Sequence, residues 1–338
     1  MKAKYRNMFL GMGMVAIVIM LCTFDMSYTE LWERVRHAGY WFWAVLLLWL
    51  PIYMLNAWSW HLIINDGRDG HKLGFWRVFK YTVTGYALNY VTPVGVLGGE
   101  PYRIMELTPY VGAAKASSSV ILYAMMHIFS HFCFWAFSII LFLVLYFDIL
   151  TWGVSIILLL MTAFCALGIY FFMLGYRNGL ALRALLFFGH WPLIGKHIRV
   201  FAEKNADDVR KVDQQIAELH AQRPLTFYLS LFLEFLARIV GCLEVLFILY
   251  MLPENEHAVS FFDCIIMQAF MSLFANLMFF IPLEMGTREG GFAMITGCLR
   301  MNQANGVLTG LVTRLRELLW IAIGLALMKI GNRKIVRK

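Results

Sequence analysis

Charge is what this sequence has least of. Only 15% of its 338 residues are Asp, Glu, Lys or Arg, against 61% hydrophobic residues, whereas soluble domains are usually about a quarter charged. That scarcity excludes a soluble fold. The roughly ten-residue alternating segments of a membrane β-barrel are missing too. Cysteine is sparse and unpaired in pattern. Cys22, Cys133, Cys165, Cys242, Cys264 and Cys298 lie scattered, mostly inside apolar runs, which fits buried structural thiols rather than a disulfide framework or a metal site. There is no nucleotide-binding loop, no dinucleotide fingerprint and no nucleophile triad, so direct coupling to ATP has no support and no cofactor is expected.

What the chain has is a succession of long apolar runs. About 20 such residues cross the hydrocarbon core as a helix, and a spanning segment must satisfy its own backbone polar groups. Full spans are expected near 8–24, 40–63, 117–146, 152–175, 225–251 and 306–328. The first follows Lys2, Lys4 and Arg6, and Thr23-Phe24-Asp25-Met26 makes a poor cleavage site, so it is read as a retained helix rather than a signal peptide. Two further apolar stretches, 78–108 and 264–298, are interrupted by Pro, Gly and charge and do not read as ordinary spans.

The formal charge of +8 is distributed for a membrane, not for nucleic acid. Lysine and arginine gather at the N-terminus, at Arg68, Lys72, Arg77 and Lys80, in the loop 176–224, and at the C-terminus from Lys329 to Lys338. The positive-inside rule makes these cytoplasmic. The 252–263 loop carries Glu254, Glu256 and Asp263 without a cation and is expected outside; the 25–39 loop is mixed. These sides agree only if each interrupted stretch enters and leaves on one face. The expectation is therefore an all-α polytopic membrane protein, one transmembrane domain over 1–338, with six full spans and two re-entrant broken helix pairs in an inverted repeat. Both termini face the cytoplasm of the inner membrane. Segment 203–222 is polar with Val209, Val212, Ile216 and Leu219 at helical spacing, and is expected as a surface helix or a docking site.

Two motifs carry the chemistry. The first runs from Asn89 to Arg103, NYVTPVGVLGGEPYR. Pro93 and Pro101 deny backbone donors, Gly95, Gly98 and Gly99 permit a non-helical backbone, and Glu100 and Arg103 fall at membrane depth. The second, Ile281 to Phe292, is IPLEMGTREGGF, with Pro282 and Gly286 beside Glu284, Arg288 and Glu289. Downstream, Arg314, Arg316 and Glu317 interrupt the last span. Ionisable groups inside a membrane are expensive and are functional candidates by default. Glu and Arg in a broken helix also have a plain reading, as pairs that neutralise one another and hold the break. Two such breaks in corresponding halves favour a site. Arginine's permanent charge and planar fork suit phosphate, and helix N-termini at the breaks add to the attraction, so the ligand expected is a lipid with an anionic head.

Asn-x-x-x-Pro followed by Gly-Gly-Glu-x-x-Arg, and then Pro-x-x-x-Gly-x-Arg-Glu, resembles the lysylphosphatidylglycerol synthase transmembrane-region family, also called flippase-like. The resemblance covers nearly the whole chain. In a longer protein with such a domain, the multiple peptide resistance factor, it moves aminoacylated phosphatidylglycerol between leaflets and a cytoplasmic synthetase domain follows. Here the sequence ends at Lys338, so no synthetase is expected. The family tends to carry charge early in the span after the first motif, where this chain reads Tyr123-Ala-Met-Met-His127. The resemblance implies that Asn89, Pro93, Gly98, Gly99, Glu100 and Arg103, then Pro282, Gly286, Arg288, Glu289 and Arg314, line a lipid head-group path. It implies a lipid translocase rather than an enzyme. Two alternatives stay open: a membrane-embedded transferase with Glu100 or Glu289 as base, and an accessory subunit presenting lipid to a separate enzyme.

Other charged residues have ordinary expectations. His127 and His131, at i and i+4, are expected to hydrogen-bond within the bundle rather than bind metal. Glu234 and Arg238 are expected to pair along their own helix. The oligomeric state is not legible from small-residue spacing.

Overall fold

The computed structural model describes residues 39–66, 72–91, 98–178, 224–251, 259–278 and 286–330, with isolated positions 11 and 207. The expected span at 8–24, the surface helix at 203–222, Cys22, Pro93, Pro282 and Glu284 lie outside these residues. Within them the chain is helical and carries no strand. The helices are α1 (Tyr40–Ile64), α2 (Phe75–Val91), α3 (Gly99–Val111), α4 (Ala113–Leu145), α5 (Trp152–Asn178), α6 (Pro224–Tyr250), α7 (Phe261–Leu277), α8 (Thr287–Cys298) and α9 (Gln303–Leu327). A single 3-10 turn, Phe147–Ile149, joins α4 to α5.

Three of these, α1, α4 and α5 through Met173, are long and apolar enough to cross a membrane. Helices α6 and α9 are of similar length, 27 and 25 residues, but carry buried charge: Glu234 and Glu244 on α6, and Arg314, Arg316 and Glu317 on α9. The outer surface is what lipid demands. Leu47, Val144, Leu159, Leu160 and Phe171 are all exposed. Helix α5 is the most peripheral, packing principally on α4.

Helices α2 and α3 form an antiparallel pair. Arg77 at the start of α2 lies 4.3 Å over the ring of Tyr110 at the end of α3, and Tyr81 faces Tyr102 edge to face at 6.4 Å. The pair is closed at its tip by Gly99, where a Cβ would sit 2.2 Å from the carbonyl oxygen of Gly85. Sequence reasoning gave Gly98 and Gly99 a different task, a non-helical turn. Gly98 has helical angles (φ −90°, ψ −45°), and Gly99 is needed for close approach instead. Pro101, expected to break a helix, sits in the first turn of α3, where its missing N–H would have been unpaired anyway. Arg77 and Lys80 belong to the first turns of α2.

Helices α7 and α8 make the second pair. Ser260 and Asp263 form a reciprocal capping box at the start of α7, which satisfies donors the first turn leaves orphaned. Asp263 also accepts from the Tyr146 hydroxyl at 2.7 Å. Ser260→Ala is expected to cost about 1 kcal/mol, checked as a lowered melting temperature of the purified protein. Gly286, before α8, has φ +74°, the left-handed conformation its motif suggested.

The two halves pack reciprocally. Helix α1 lies against α6, α2 against α9, and α7 against α4. The Lys80 ammonium donates to the carbonyl of Ile330, so α2 begins where α9 ends. Tyr146 and Asp263 make the matching contact, so α7 begins where α4 ends. Pro51 lies inside α1, and the Trp320 indole of α9 donates to the α1 carbonyl of Leu46 at 3.1 Å.

Candidate functional site

Asn89, near the end of α2, ties the first break together. Its side-chain oxygen accepts from the Gly99 amide at 2.7 Å, and its amide nitrogen donates to Glu100 Oε1 at 3.1 Å. A freed N–H at the start of α3 is thereby satisfied, and the carboxylate of Glu100 is fixed at the helix terminus that favours negative charge. The same Glu100 oxygen accepts from Arg103 Nη1 at 3.2 Å. Arg103 then donates Nε to the Tyr81 carbonyl at 3.4 Å and Nη2 to the Thr82 carbonyl at 3.3 Å.

Three aromatic rings surround that guanidinium, Tyr86 at 5.0 Å, Tyr123 at 5.2 Å and Trp60 at 5.4 Å. Arg103 is 1% exposed. A Cβ on Gly85 would lie 2.2 Å from its Nε, so this glycine makes room for the cation. Trp60 is packed inside the bundle, stacked on Tyr123 at 5.4 Å, while Trp43 and Trp58 are exposed, as residues of an interfacial belt are.

The second break is built on α8 and α9. Arg288 pairs with Glu317, and Arg314 Nη2 donates to Glu289 at 3.0 Å. Arg316 binds Glu244 of α6 with two parallel bonds, Nε to Oε1 at 2.7 Å and Nη2 to Oε2 at 3.0 Å. Its Nη1 lies 3.5 Å from Glu317 Oε1, so Glu244, Arg316, Glu317 and Arg288 form a chain of alternating charge. Trp49 of α1 caps the chain: its indole donates to Glu244 Oε2 at 3.0 Å, and its ring lies 3.7 Å from the Arg316 guanidinium. Each arginine here has a carboxylate partner, the arrangement low dielectric requires. Arg288 also lies 5.8 Å over the ring of Tyr90. Tyr90 is one turn beyond Tyr86, so α2 runs between the two charged groups.

The structure therefore brings Asn89, Glu100 and Arg103 together, and separately Arg288, Glu289 and Arg314. Arg316 and Glu244 complete the second group although neither was among the expected head-group residues. The signal for them was in the sequence: a carboxylate in the apolar α6 needs a partner at the same depth. The expected pair along α6 is not made. Glu234 instead accepts from His127 Nδ1 of α4 at 2.8 Å. Arg238 turns to α4 as well, donating to Ser130 Oγ at 2.7 Å and to the His127 carbonyl at 2.6 Å. The reason is competition: α4 offers fixed acceptors at the depth where α6 needs them, and they prevail over a weak pair along one helix. His127 hydrogen-bonds within the bundle as expected, its Nδ1 also lying 3.1 Å from the Tyr86 hydroxyl.

Two helix breaks with embedded Glu–Arg pairs are joined by one further finding. The model of the lysylphosphatidylglycerol synthase TM region matches residues 8–324. The chain belongs to that family. No curated protein matches it, and no solved structure does. Membership in the lysylphosphatidylglycerol synthase TM-region family agrees with the helical fold and with its helices long and apolar enough to cross a membrane.

Proposed function

We propose that this chain moves an anionic phospholipid or a polyprenyl-phosphate-linked lipid between the leaflets of the inner membrane. The observation that carries the reading is the reciprocal packing of the two broken pairs. Helices α3 and α8, of 13 and 12 residues, are about 20 Å and 18 Å long, short of the roughly 30 Å hydrocarbon core. Helix α4 starts at the base of the α2–α3 pair and ends at the base of the α7–α8 pair; α9 runs back the other way. If α4 and α9 span, the two pairs dip in from opposite faces. That supports two re-entrant pairs, an inverted repeat, and six full spans when the segment at 8–24 is included. The Lys80 contact with Ile330 brings the basic start of α2 to the end of α9, in keeping with one cytoplasmic side for both.

In transport, one repeat rocks against the other and exposes the breaks alternately while the lipid tails stay in the bilayer. Arg103, Arg288 and Arg314 contact the lipid phosphate by exchanging carboxylate for phosphate oxygen, and Asn89, Glu100 and Glu289 orient them. The exchange keeps each guanidinium compensated throughout.

The test is dithionite quenching of fluorescent phosphatidylglycerol in proteoliposomes. Arg288→Ala alone would remove one of the cations that compensate Glu317 and lower stability along with transport. The double variant Arg288→Gln, Glu317→Gln removes both charges. It is expected to fold and to translocate about tenfold more slowly or worse. An unchanged rate at equal incorporation overturns the assignment. Appearance of a covalently altered lipid in the same vesicles, given a donor, would replace transport by a transferase.

A further inference from the structure

Four of the interior arginines, Arg103, Arg288, Arg314 and Arg316, are at most 7% exposed, and each is paired with a glutamate. Arg238 is different. It keeps part of its surface, and among the described residues no carboxylate lies within ion-pair distance of it. Glu234, one turn back on α6, is the natural candidate, but its Oε2 is bound to His127 and its Oε1 is buried without a hydrogen-bond partner. Glu234 supplies a counter-charge from one turn away but no direct bond, so the fork itself stays open to an anion at membrane depth.

The surroundings are built for such a guest. Ser130 Oγ and the His127 carbonyl hold Arg238 Nε and Nη2 at 2.7 and 2.6 Å, fixing the plane of the fork; Nη1 is left for a ligand. The His127 side chain is 30% exposed beside it. His131 stands edge-on to His127 at 5.4 Å, and its Nδ1 has no hydrogen-bond partner. The hydroxyls of Tyr86 and Tyr123, 3.0 Å apart, complete the wall. These residues lie near the middle of α4 and α6, helices drawn from different halves of the chain. Binding sites of inverted-repeat transporters form at that depth.

We propose that Arg238, with His127 and His131, forms an interior site for the phosphate group of an anionic lipid. The proposal rests on the translocase reading and adds to it a mid-depth station, beside the first break and sharing Tyr86 and Tyr123 with the cradle of Arg103, at which the head is held by an arginine that needs no carboxylate displaced. Arg238 and His131 donate to phosphate oxygens, while Glu234, accepting from His127 Nδ1, holds that imidazole in the wall of the site.

The experiment is native mass spectrometry of the purified full chain in detergent, with phosphatidylglycerol, phosphatidylcholine and inorganic phosphate as separate probes. Wild type is expected to prefer phosphatidylglycerol over phosphatidylcholine. Arg238→Gln should weaken that binding about tenfold or more, and Arg238→Lys, which keeps the charge but loses the fork, should fall between. His131→Gln leaves Arg238 and the His127–Glu234 contact in place and guards against a folding defect in the arginine variants; it too should weaken binding while the melting temperature holds. Competition by inorganic phosphate, absent in Arg238→Gln, would support the site with free phosphate as a second source; no competition, with lipid binding still lost in the variant, supports the lipid head alone. Lipid binding unchanged in both arginine variants overturns the site. If the Arg288→Gln, Glu317→Gln double variant then abolishes binding, the translocase reading survives with its phosphate at α8 and α9. No preference for phosphatidylglycerol in wild type overturns both.

Discussion

Replacing Arg316 by alanine is expected to destabilise the protein by about 3–5 kcal/mol, the usual consequence of stranding a buried charge. Glu244 is 1% exposed and receives both bonds of the guanidinium. Without Arg316 its nearest remaining donor is the Trp49 indole, a single neutral group. Glu317 would lose a cation as well. The comparison that isolates the cause is the double variant Arg316→Gln, Glu244→Gln, which removes the pair together and should recover most of the loss, since two apposed amides can hydrogen-bond without carrying charge. Thermal unfolding in detergent measures both. Should the double variant melt as low as Arg316→Ala, the loss would come from packing against Trp49 rather than from the stranded carboxylate.

The second large effect is expected at the tip of the first break. Gly99→Ala places a methyl group 2.2 Å from the Gly85 carbonyl oxygen and 2.7 Å from Asn89 Oδ1. Neither has room to withdraw, because one is backbone and the other holds the Gly99 amide and Glu100. Separating α2 from α3 would also loosen the cradle of Arg103, which draws on Tyr81 and Thr82 carbonyls. A cost of about 3 kcal/mol is expected, at the upper end for overpacking. Gly290 is the matched control in the second break: a Cβ there meets nothing within 4 Å, and Gly290→Ala should be neutral or stabilising by up to about 1 kcal/mol through helix propensity. Equal melting temperatures for the two variants would sink the close-packing account of Gly99.

Much of the helical framework was legible from the chain alone, because apolar run length and Pro/Gly interruption act locally. The spans expected at 40–63, 225–251 and 306–328 correspond to α1, α6 and α9 to within a few residues. The interruptions fall where the motifs lie, although Gly98 is helical and Pro101 opens a helix rather than ending one. Partner choice was less legible. Glu234 finds His127, 107 residues away, in preference to Arg238 one turn along its own helix, and Arg316 finds Glu244 at a separation of 72 residues. Such pairings depend on which helices become neighbours and at what depth, and spacing along a single helix does not encode that. The number of charges within apolar helices was a better guide than their spacing: every embedded carboxylate had to be met by some donor.

Pro51 gives α1 a property that its neighbours do not share. A proline within a helix removes one rung of the backbone ladder and pushes on the carbonyl one turn earlier, so bending is easiest there. Close to that weak rung, at Leu46, α9 holds the backbone of α1 through a single indole hydrogen bond. Trp320 also lies 4.9 Å from the Tyr53 ring, two residues past the proline. One side chain thus grips α1 on both sides of its softest point, like a hand on either side of a hinge pin. A change in the angle of α1 must then move α9, and with it Arg316 and Glu317 one turn back along that helix.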